Sequence, residues 1–277
     1  MPILGIDYEK CNNCQICVSA CYGGTGCLRL DTEQNRVIFN DPQNLCYSCG
    51  YCVSRCSVDA FLYENMGEMQ TFGEVQDPST LISYETLHKF MSSKRSMRGF
   101  KNKKIPRYVM EKVLSSIKYA PTGANIRSLR CTIISDDEKI KKLSEAIMDI
   151  IITSNTSDYK EYRDQGFKHY RDQGIDRVFF EAPHVMIIHS NNPGDAMNAT
   201  IGLTYGMLSA QSLGLGSCWI GLAHRVLTSN KEIQENFIGI QEKIWGIIIL
   251  GYPDDERKYY RVPPRPDLKT KGLNELT

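Results

Sequence analysis

The segments CNNCQICVSAC, residues 11–21, and CYSCGYCVSRC, residues 46–56, carry the same arrangement of four cysteines, C-x2-C-x2-C-x3-C. The second copy follows the first at a constant offset of 35 residues. Nine of the eleven cysteines fall within this part of the chain, and Cys131 and Cys218 are the other two. Thiols spaced this closely in a reducing compartment favour metal ligation over disulfides. The pattern therefore predicts a redox or metal module near the N-terminal end.

Composition and charge narrow the possible partners. The chain has 277 residues and a formal net charge of +1, which gives no general attraction to nucleic acid or to an anionic membrane. The start, MPILGIDYEK, lacks the features of a secretory signal, and no apolar stretch has the length of a membrane span. We therefore expect a cytoplasmic, soluble protein with neither a nucleic-acid nor a membrane partner.

The doubled cysteine run resembles the bacterial two-cluster ferredoxins. In that family three neighbouring thiolates and one from the other run hold each [4Fe-4S] cluster. The resemblance implies one cluster on Cys11, Cys14, Cys17 and Cys56, and a second on Cys46, Cys49, Cys52 and Cys21. The family has proline after the fourth cysteine, whereas Tyr22 and Ser57 stand here. Structural zinc is the alternative, although zinc sites usually pair two separated C-x2-C knuckles. Cys27 is expected to fill a loop rather than to bind iron.

The periodicity divides the chain into a small and a larger domain. Short strands are predicted at 36–39 and 60–63, which completes a ferredoxin-like domain at 1–64. Residues 65–80 are rich in turn formers and predict a linker. Residues 81–277 alternate amphipathic helices, at 107–119 and from Asp195 to Gly214, with apolar strands at 131–135, 184–190 and 244–250. Asp195 is the expected N-cap of the second helix, which predicts an α+β domain.

Four segments of the larger domain have the composition of a phosphate and heterocycle site. KRSMRGF (94–100) clusters cations suited to a phosphate, and APTGAN (120–125) combines a close-approach glycine with polar side chains. LGLGSCWIG (213–221) is expected to form a glycine-rich loop, and GYPDDERKYYRVPPRP (251–266) supplies Lys258, Arg261 and Arg265. None of the four is decisive by itself.

Taken in this order, the four segments resemble the nitroreductase family of FMN-dependent oxidoreductases over residues 81 to 266. The resemblance implies a mixed sheet flanked by helices and a homodimer with FMN at its interface. Carried over by motif, the FMN contacts are Lys94, Arg95, Ser96, Arg98, Pro121, Thr122, Asn125, Cys218, Trp219, Ile220, Gly221, Arg261 and Arg265.

Two features depart from or vary within that family. Arg127 stands where the family has glutamine, and it is expected to raise the flavin potential, to bind an anionic substrate, or to pair with a surface carboxylate. The YRDQG repeat at 162–166 and 170–174 lies in the region that usually forms the substrate lid. On one helix its eight-residue offset would place Tyr162 and Tyr170 on one face, for substrate stacking or for packing.

The expected activity joins the two domains. Electrons from a low-potential donor, ferredoxin or NAD(P)H, enter through the two [4Fe-4S] clusters, reduce FMN and leave as hydride to a small organic acceptor. Nitroaromatics, quinones, activated alkenes and halogenated phenols are the candidate acceptors. No catalytic side chain is predicted: Cys218 is expected to pack, His184 and His189 to make structural bonds, and His169 is a possible proton donor. The alternative is an electron-transfer or redox-sensing protein that relays to a protein partner.

Overall fold

The structure is a computed structural model that describes residues 3–21, 26–64, 70–73, 77–254 and 261–272. Its residues form two compact units. One contains Met1–Pro78 and Pro121–Ser128, and the other contains Ser79–Ala120 and Leu129–Thr277. Part of the predicted linker, 65–80, lies outside the described residues, and the predicted domain boundaries stay predictions. The inclusion of residues 121–128 in the first unit was not anticipated from the sequence.

The first unit is built from two antiparallel strand pairs and two short helices. β1 pairs with β4 and β2 pairs with β3, while each helix contains the third cysteine of its run. The elements in chain order are β1 (Ile3–Ile6), α1 (Ile16–Ala20), β2 (Leu28–Asp31), β3 (Arg36–Phe39), α2 (Tyr51–Ser54) and β4 (Phe61–Tyr63). β3 and β4 confirm the two strands predicted from the sequence. β1 and β2 were not predicted.

The two cysteine runs also repeat in backbone conformation. Asn13 and Ser48, which are 35 residues apart, have φ values of 56° and 51°. Gln15 and Gly50, at the same offset, have φ values of 59° and 75°. Left-handed backbone is uncommon outside glycine, so its recurrence at matching positions is informative. The runs therefore fold as two copies of one turn.

The second unit is organised around a four-stranded sheet. Its strands are β5 (Arg130–Ile134), β6 (His184–Ser190), β7 (Gly216–Trp219) and β8 (Lys243–Gly251), in the spatial order β5-β6-β8-β7. Every pairing between these strands is antiparallel. Among the residues that the structure describes, the parallel pairing expected of a mixed sheet appears at one isolated bridge, between Ser96 and Ser217. The glycine-rich segment at 213–221 was predicted to be a loop, and its centre is instead the buried strand β7.

Helices cover both faces of this sheet. They are α3 (Tyr84–Ser92), α4 (Arg107–Lys118), α5 (Asp137–Thr153), α6 (Lys160–Asp164), α7 (Phe167–Asp172), α8 (Asp195–Ser212), α9 (Gly221–Ser229) and α10 (Lys231–Ile233). Alternate residues of β6 enter different cores, because strand side chains alternate between faces. Val185 and Ile187 pack in the core that contains α5, whereas Met186 and Ile188 pack with α4 and α8. This explains why β6 is buried along its whole length.

The start of α8 differs from the prediction. Gly194, and not Asp195, occupies the N-cap position, and Asp195 is fully buried in the first turn. Its carboxylate accepts hydrogen bonds from the Ser190 hydroxyl and from the Asn198 side-chain amide, the latter at 2.8 Å. A buried carboxylate needs such donors because it has lost its water. At the other end Gly214, with φ 74°, follows the helix as predicted.

The YRDQG repeat does not lie on one helix. Gly166, with φ 81°, separates α6 from α7, so the eight-residue offset does not place Tyr162 and Tyr170 on a common face. Tyr162 instead contacts Phe167 edge to face, with ring centroids 5.4 Å apart, and packs against the core. Tyr170 lies beneath the Arg177 guanidinium at 4.8 Å. The prediction of a shared aromatic face is therefore wrong.

Two histidines at the ends of β6 make the structural bonds that were predicted. The Nε2 atom of His184 accepts the Ile105 backbone N–H at 2.8 Å, which fixes the proton on Nδ1, where the Ser135 hydroxyl lies at 2.7 Å. His189 contacts the Thr132 hydroxyl at 2.9 Å and the Glu242 carboxylate. His169, the histidine considered as a proton donor, is exposed on α7.

Candidate functional sites

The four thiols implied for the second cluster line one cavity of the first unit. Cys46, Cys49 and Cys52 of the second run meet Cys21 of the first run around a volume of about 470 Å³. Cys27, which was expected to fill a loop, also lies in the wall of this cavity beside the four thiols. The remaining wall is largely apolar and aromatic: Ile3, Ala20, Leu28, Phe39, Tyr47, Gly50 and Tyr51.

The other four thiols line a second, narrower cavity of about 20 Å³. Cys11, Cys14 and Cys17 of the first run meet Cys56 of the second run there, among apolar side chains such as Val37 and Phe61. The fourth cysteine of each run therefore reaches the cavity of the other run. Within the described ranges, no three histidine, cysteine, aspartate or glutamate side chains converge as a site for a single metal ion.

Burial makes the thiols of Cys52 and Cys17 costly to ionise without a bound cation. The pKa of Cys52 is raised to about 12, first by burial and then by the neighbouring Cys49, Cys21 and Cys46 as like charges, while a hydrogen bond from the Val53 backbone opposes the shift. Burial also raises the pKa of Cys17, with Cys14 and Cys11 adding to the effect. Metal coordination reverses this balance, because a metal cation deprotonates the thiols that bind it. The chemical groups suit a cationic metal cluster.

Asp41 organises the entry to the second run. Its carboxylate accepts the backbone N–H of Cys46 at 2.9 Å and that of Leu45 at 2.7 Å. The Cys27 thiol donates to it as well, and these bonds, that of Cys46 first, hold the pKa of Asp41 below its usual range. The carboxylate thus positions the first cysteine of the second run and the nearby Cys27.

Two asparagine side chains hold the repeated turns. Asn13 holds the first: its amide nitrogen donates to the Asn35 carbonyl at 2.9 Å, and its oxygen accepts the Val37 N–H at 3.0 Å. Asn125 contacts the second: its amide nitrogen donates to the Ser48 carbonyl at 2.7 Å and to that of Tyr47 at 3.3 Å.

Residues 121–128, which we call the 121–128 loop, carry several predicted FMN contacts. Arg127 donates to the Asn125 side-chain oxygen at 2.7 Å, and its backbone N–H donates to the Thr122 hydroxyl at 3.3 Å. Ala124, Asn125 and Arg127 all have left-handed backbone, with φ between 48° and 53°. Arg127 is exposed, as is Pro121. The loop lies in the first unit, and its contacts with a flavin stay predictions.

A basic cavity of about 310 Å³ lies in the second unit. Lys94 and Arg95 line it together with hydroxyl, amide and backbone groups from Ser93, which follows α3, and from α8 and β7. The complete described lining is Ser93, Lys94, Arg95, Met97, Gln211, Gly214, Leu215, Gly216, Ser217 and Pro253. The cavity therefore brings the predicted contacts Lys94 and Arg95 together with residues of the segment 213–221. The sequence had linked these two parts of the chain only by the family resemblance.

Lys94 and Ser217 give this cavity its polar character. The Lys94 ammonium is half-buried and donates to the backbone carbonyls of Arg95, at 2.6 Å, and Ser217, at 3.1 Å. Burial lowers its pKa, as expected for a cation removed from water. The Ser217 hydroxyl is buried and has no hydrogen-bond partner among the described residues. A buried hydroxyl without a partner costs free energy, which a bound ligand would recover.

Ser217 is the residue that the sequence analysis missed. It lies inside the quoted segment LGLGSCWIG, beside the predicted Cys218. Neighbouring side chains on a strand point to opposite faces of the sheet, so recognising β7 as a strand would have placed Ser217 and Cys218 on different faces. Cys218 is 1% exposed and packs in the core with α5 and α9, in agreement with its expected packing role.

The other predicted contacts are distributed around the second unit. Trp219 and Ile220 end β7, and Gly221 begins α9. Ser96 is exposed and bridges to Ser217, and the exposed Arg98 has its guanidinium 5.7 Å from the ring centre of Phe180. Arg261 and Arg265 are exposed and are not among the described residues that line the basic cavity. Lys258 lies outside the described residues. The assignment of all these residues to FMN stays a prediction.

The sheet and the segments around the basic cavity fall within a known sequence family. Residues 91–252, more than half of the chain, match the pattern of the Nitroreductase family. The chain belongs to the nitroreductase family. As a member of this family it is an oxidoreductase, which confirms the resemblance seen in its sequence.

Individual relatives of this nitroreductase-family chain agree with that assignment. A protein of Archaeoglobus fulgidus, provisionally named NADH dehydrogenase/NAD(P)H nitroreductase, is 26% identical over 64% of this chain and 91% of its own length. An iodotyrosine deiodinase of Hydra vulgaris is 24% identical over 67% and 70%, respectively. The crystal structure of a Bacteroides fragilis nitroreductase with bound FMN covers 67% of this chain and 97% of its own, at 21% identity and a TM-score of 0.55. That last likeness shows a shared fold.

The helices of the chain also bear on its predicted relation to membranes. Across the part of the chain that the structure describes, none combines the length and the apolar character needed to cross a bilayer.

Proposed function

We propose that this chain is an FMN-dependent oxidoreductase that receives electrons through two [4Fe-4S] clusters bound to its cysteine runs. The clusters, when bound, carry single electrons, and FMN takes electrons singly and passes them on in pairs. One observation carries the proposal: three cysteines of one run and the fourth cysteine of the other run line each of two cavities, and Cys27 also lies in the wall of the larger one. This crosswise arrangement is the one that two-cluster ferredoxins use.

Geometry favours clusters over structural zinc. Zinc draws four ligands to one point, whereas a [4Fe-4S] cube binds each thiolate through a different iron. The thiols of the larger cavity surround about 470 Å³, which leaves room for more than one ion. The narrower cavity, about 20 Å³, must widen to hold a cluster. Each cavity offers three thiols of one run and one thiol of the other. The larger cavity also has Cys27, and the wall of the narrower one includes Asn12, Gln15 and Arg55 beside its apolar residues.

The basic cavity is the proposed position of the FMN phosphate. Lys94 and Arg95 supply positive charge, and the buried Ser217 hydroxyl supplies a donor that the described residues leave unused. Charged donors of this kind bind phosphate oxygens strongly. Ser96, Arg98, Trp219, Ile220 and Gly221 are proposed to contact the rest of the cofactor, together with Pro121, Thr122, Asn125, Arg127, Arg261 and Arg265.

We further propose that the protein is a homodimer. Helix α8 carries Met197, Ile201 and Tyr205 at a spacing of four residues, and their exposed fractions are 75%, 37% and 43%. The opposite side of α8 is also apolar and packs in the core. A helix that is apolar on both sides is typical of a buried position, so the exposed stripe is suited to a second copy.

The donor and acceptor follow from chemistry and from the named relatives. The Archaeoglobus relative's name supports NAD(P)H, whereas the cysteine runs support a one-electron donor such as ferredoxin. The Hydra deiodinase supports a halogenated phenol, and nitroaromatics, quinones and activated alkenes are the other candidates. A relay to a protein partner is the competing function, because clusters and flavin together also suit one-electron traffic.

An anaerobic preparation assayed for iron, acid-labile sulfide and FMN tests the cofactors directly. We expect all three, and steady turnover of at least one small acceptor with reduced ferredoxin. Zinc in place of iron would overturn the cluster assignment. Reduced flavin that ignores all four acceptor classes but reoxidises with a partner protein would favour the relay.

A further inference from the structure

The two cysteine turns share a backbone but are held by different parts of the chain. Asn13 and Ser48 occupy equivalent positions, with φ values of 56° and 51°. In the first turn the residue at this position holds the turn itself, because the Asn13 carboxamide bonds both Asn35 and Val37. A serine hydroxyl is shorter and carries one donor, so Ser48 has no carboxamide to do the same.

The carboxamide at the second turn comes from the 121–128 loop. Asn125 donates to the carbonyls of Ser48 and Tyr47, both between the ligands Cys46 and Cys49. Its own oxygen accepts the Arg127 guanidinium, so both ends of the carboxamide are engaged. Tyr47 and both cysteines line the larger cavity. A change in the turn therefore reaches the loop through two hydrogen bonds.

We propose that Asn125 is a positioning residue for the second iron-sulfur site, and that metal loading of this site and the conformation of the 121–128 loop are coupled. The inference rests on the proposed clusters. The two sites differ in what holds their turns. The turn of the second site is bonded by Asn125, a predicted flavin contact, whereas the turn of the first site is held by Asn13, a residue of its own run.

If the two are coupled, the 121–128 loop is expected to be cleaved more slowly by a protease when the second site is loaded than when it is empty. Arg127 is exposed and is a trypsin cleavage position. Removing iron, or substituting Asn125→Ala, releases the loop, and cleavage after Arg127 is expected to accelerate about tenfold, the factor that corresponds to losing hydrogen bonds of this strength. Ile126→Ala is the matched control, because Ile126 is in the same loop and its side chain is 56% exposed.

Spectroscopy of the intact dimer gives an independent measurement. Cys14→Ser and Cys49→Ser assign the electron paramagnetic resonance signals to the first and second sites. Asn125→Ala is expected to shift or remove the second signal and to leave the first, while Asn13→Ala does the reverse. Iron content is expected to fall by up to half in each variant.

The outcomes separate this inference from the proposed function. Absence of iron from the purified protein defeats the proposed function and the coupling together. Iron present, with both signals and the cleavage rate after Arg127 unchanged in Asn125→Ala, overturns the coupling alone. Loss of both signals in Asn125→Ala also overturns it, because the proposal requires the first site to survive.

Discussion

Lys94 is a half-buried ammonium whose two acceptors are backbone carbonyls, one of them on β7. Carbonyls offer partial negative charge only, so the cation retains the capacity to bind an anion. Burial lowers its pKa, and the neighbouring Arg95 cation adds to the effect. The residue was predicted from its basic cluster together with the family resemblance. The partner Ser217, 123 positions away in sequence, was not predicted, because nothing local indicates that its hydroxyl is buried.

Lys94→Gln is predicted to weaken FMN binding about tenfold to a hundredfold, the loss expected for one charge-assisted phosphate contact. Fluorescence titration of the flavin-free protein measures it. Lys112→Gln, an exposed lysine on α4, is the control and is expected to bind as the parent does. Equal FMN affinity in Lys94→Gln would place the phosphate elsewhere.

His184 is predicted to make the second unit sensitive to acid. Its pKa is lowered from 6.5 to about 4, first by burial and then by the nearby Lys104 cation, while Asp137 opposes the shift. Below pH 6.5 the unfolded chain therefore takes up a proton that the folded chain refuses, so stability decreases as pH falls towards 4. From pH 7.5 to pH 5 this residue alone is expected to cost about 2 kcal/mol.

Urea unfolding followed by tryptophan fluorescence measures this effect, because both tryptophans, Trp219 and Trp245, lie in the second unit. His184→Gln is expected to be less stable at pH 7.5, since it loses one of the two bonds, and to vary less between the two pH values. A variant that keeps the full acid sensitivity would show that another group is responsible.

At the scale of elements, strand β7 shows where local sequence and tertiary structure disagree. LGLGSCWIG was interpreted as a loop because glycine disfavours strands. Pairing with β8 overrides that preference, and the glycines serve close packing: a Cβ at Gly216 would lie 2.6 Å from the Met97 Cγ atom. By contrast α4, β6 and β8 were predicted within a residue or so, because their burial imposes a clear period on the sequence.

Gly246→Ala is predicted to destabilise the second unit by about 1–3 kcal/mol through overpacking. A Cβ there would lie 2.6 Å from both the Leu203 Cδ1 atom and the Trp219 ring, at the centre of β8. The urea midpoint by fluorescence measures the loss. Gly221→Ala is the control, because a Cβ at the start of α9 meets no atom within 4 Å. Similar midpoints for both variants would contradict the packing argument.

At the scale of the whole molecule, the sequence anticipated two modules and the family of the second. The cysteine spacing and the alternation of helices and strands are local patterns, which explains that success. The place of residues 121–128 in the first unit depends on contacts such as Asn125 to Ser48, which span 77 positions and leave no periodic trace. The family resemblance predicted that these residues contact the flavin, and it gave no indication that they contact the second cysteine turn.

Ile201→Glu is predicted to convert the proposed dimer to a monomer, because it places a charge in the centre of the exposed α8 stripe. Light scattering coupled to size-exclusion chromatography measures the mass. Tyr108→Glu is the control, since Tyr108 is 64% exposed on α4. A parent protein that is already monomeric, or an unchanged mass in Ile201→Glu, would exclude this surface as the interface.

The unequal holding of the two cysteine turns has a consequence for substitutions. The first turn is held by Asn13, which belongs to its own run, whereas the second is bonded by Asn125, far along the chain. A substitution at Asn125 is therefore expected to disturb the second cysteine turn in addition to the predicted flavin contact.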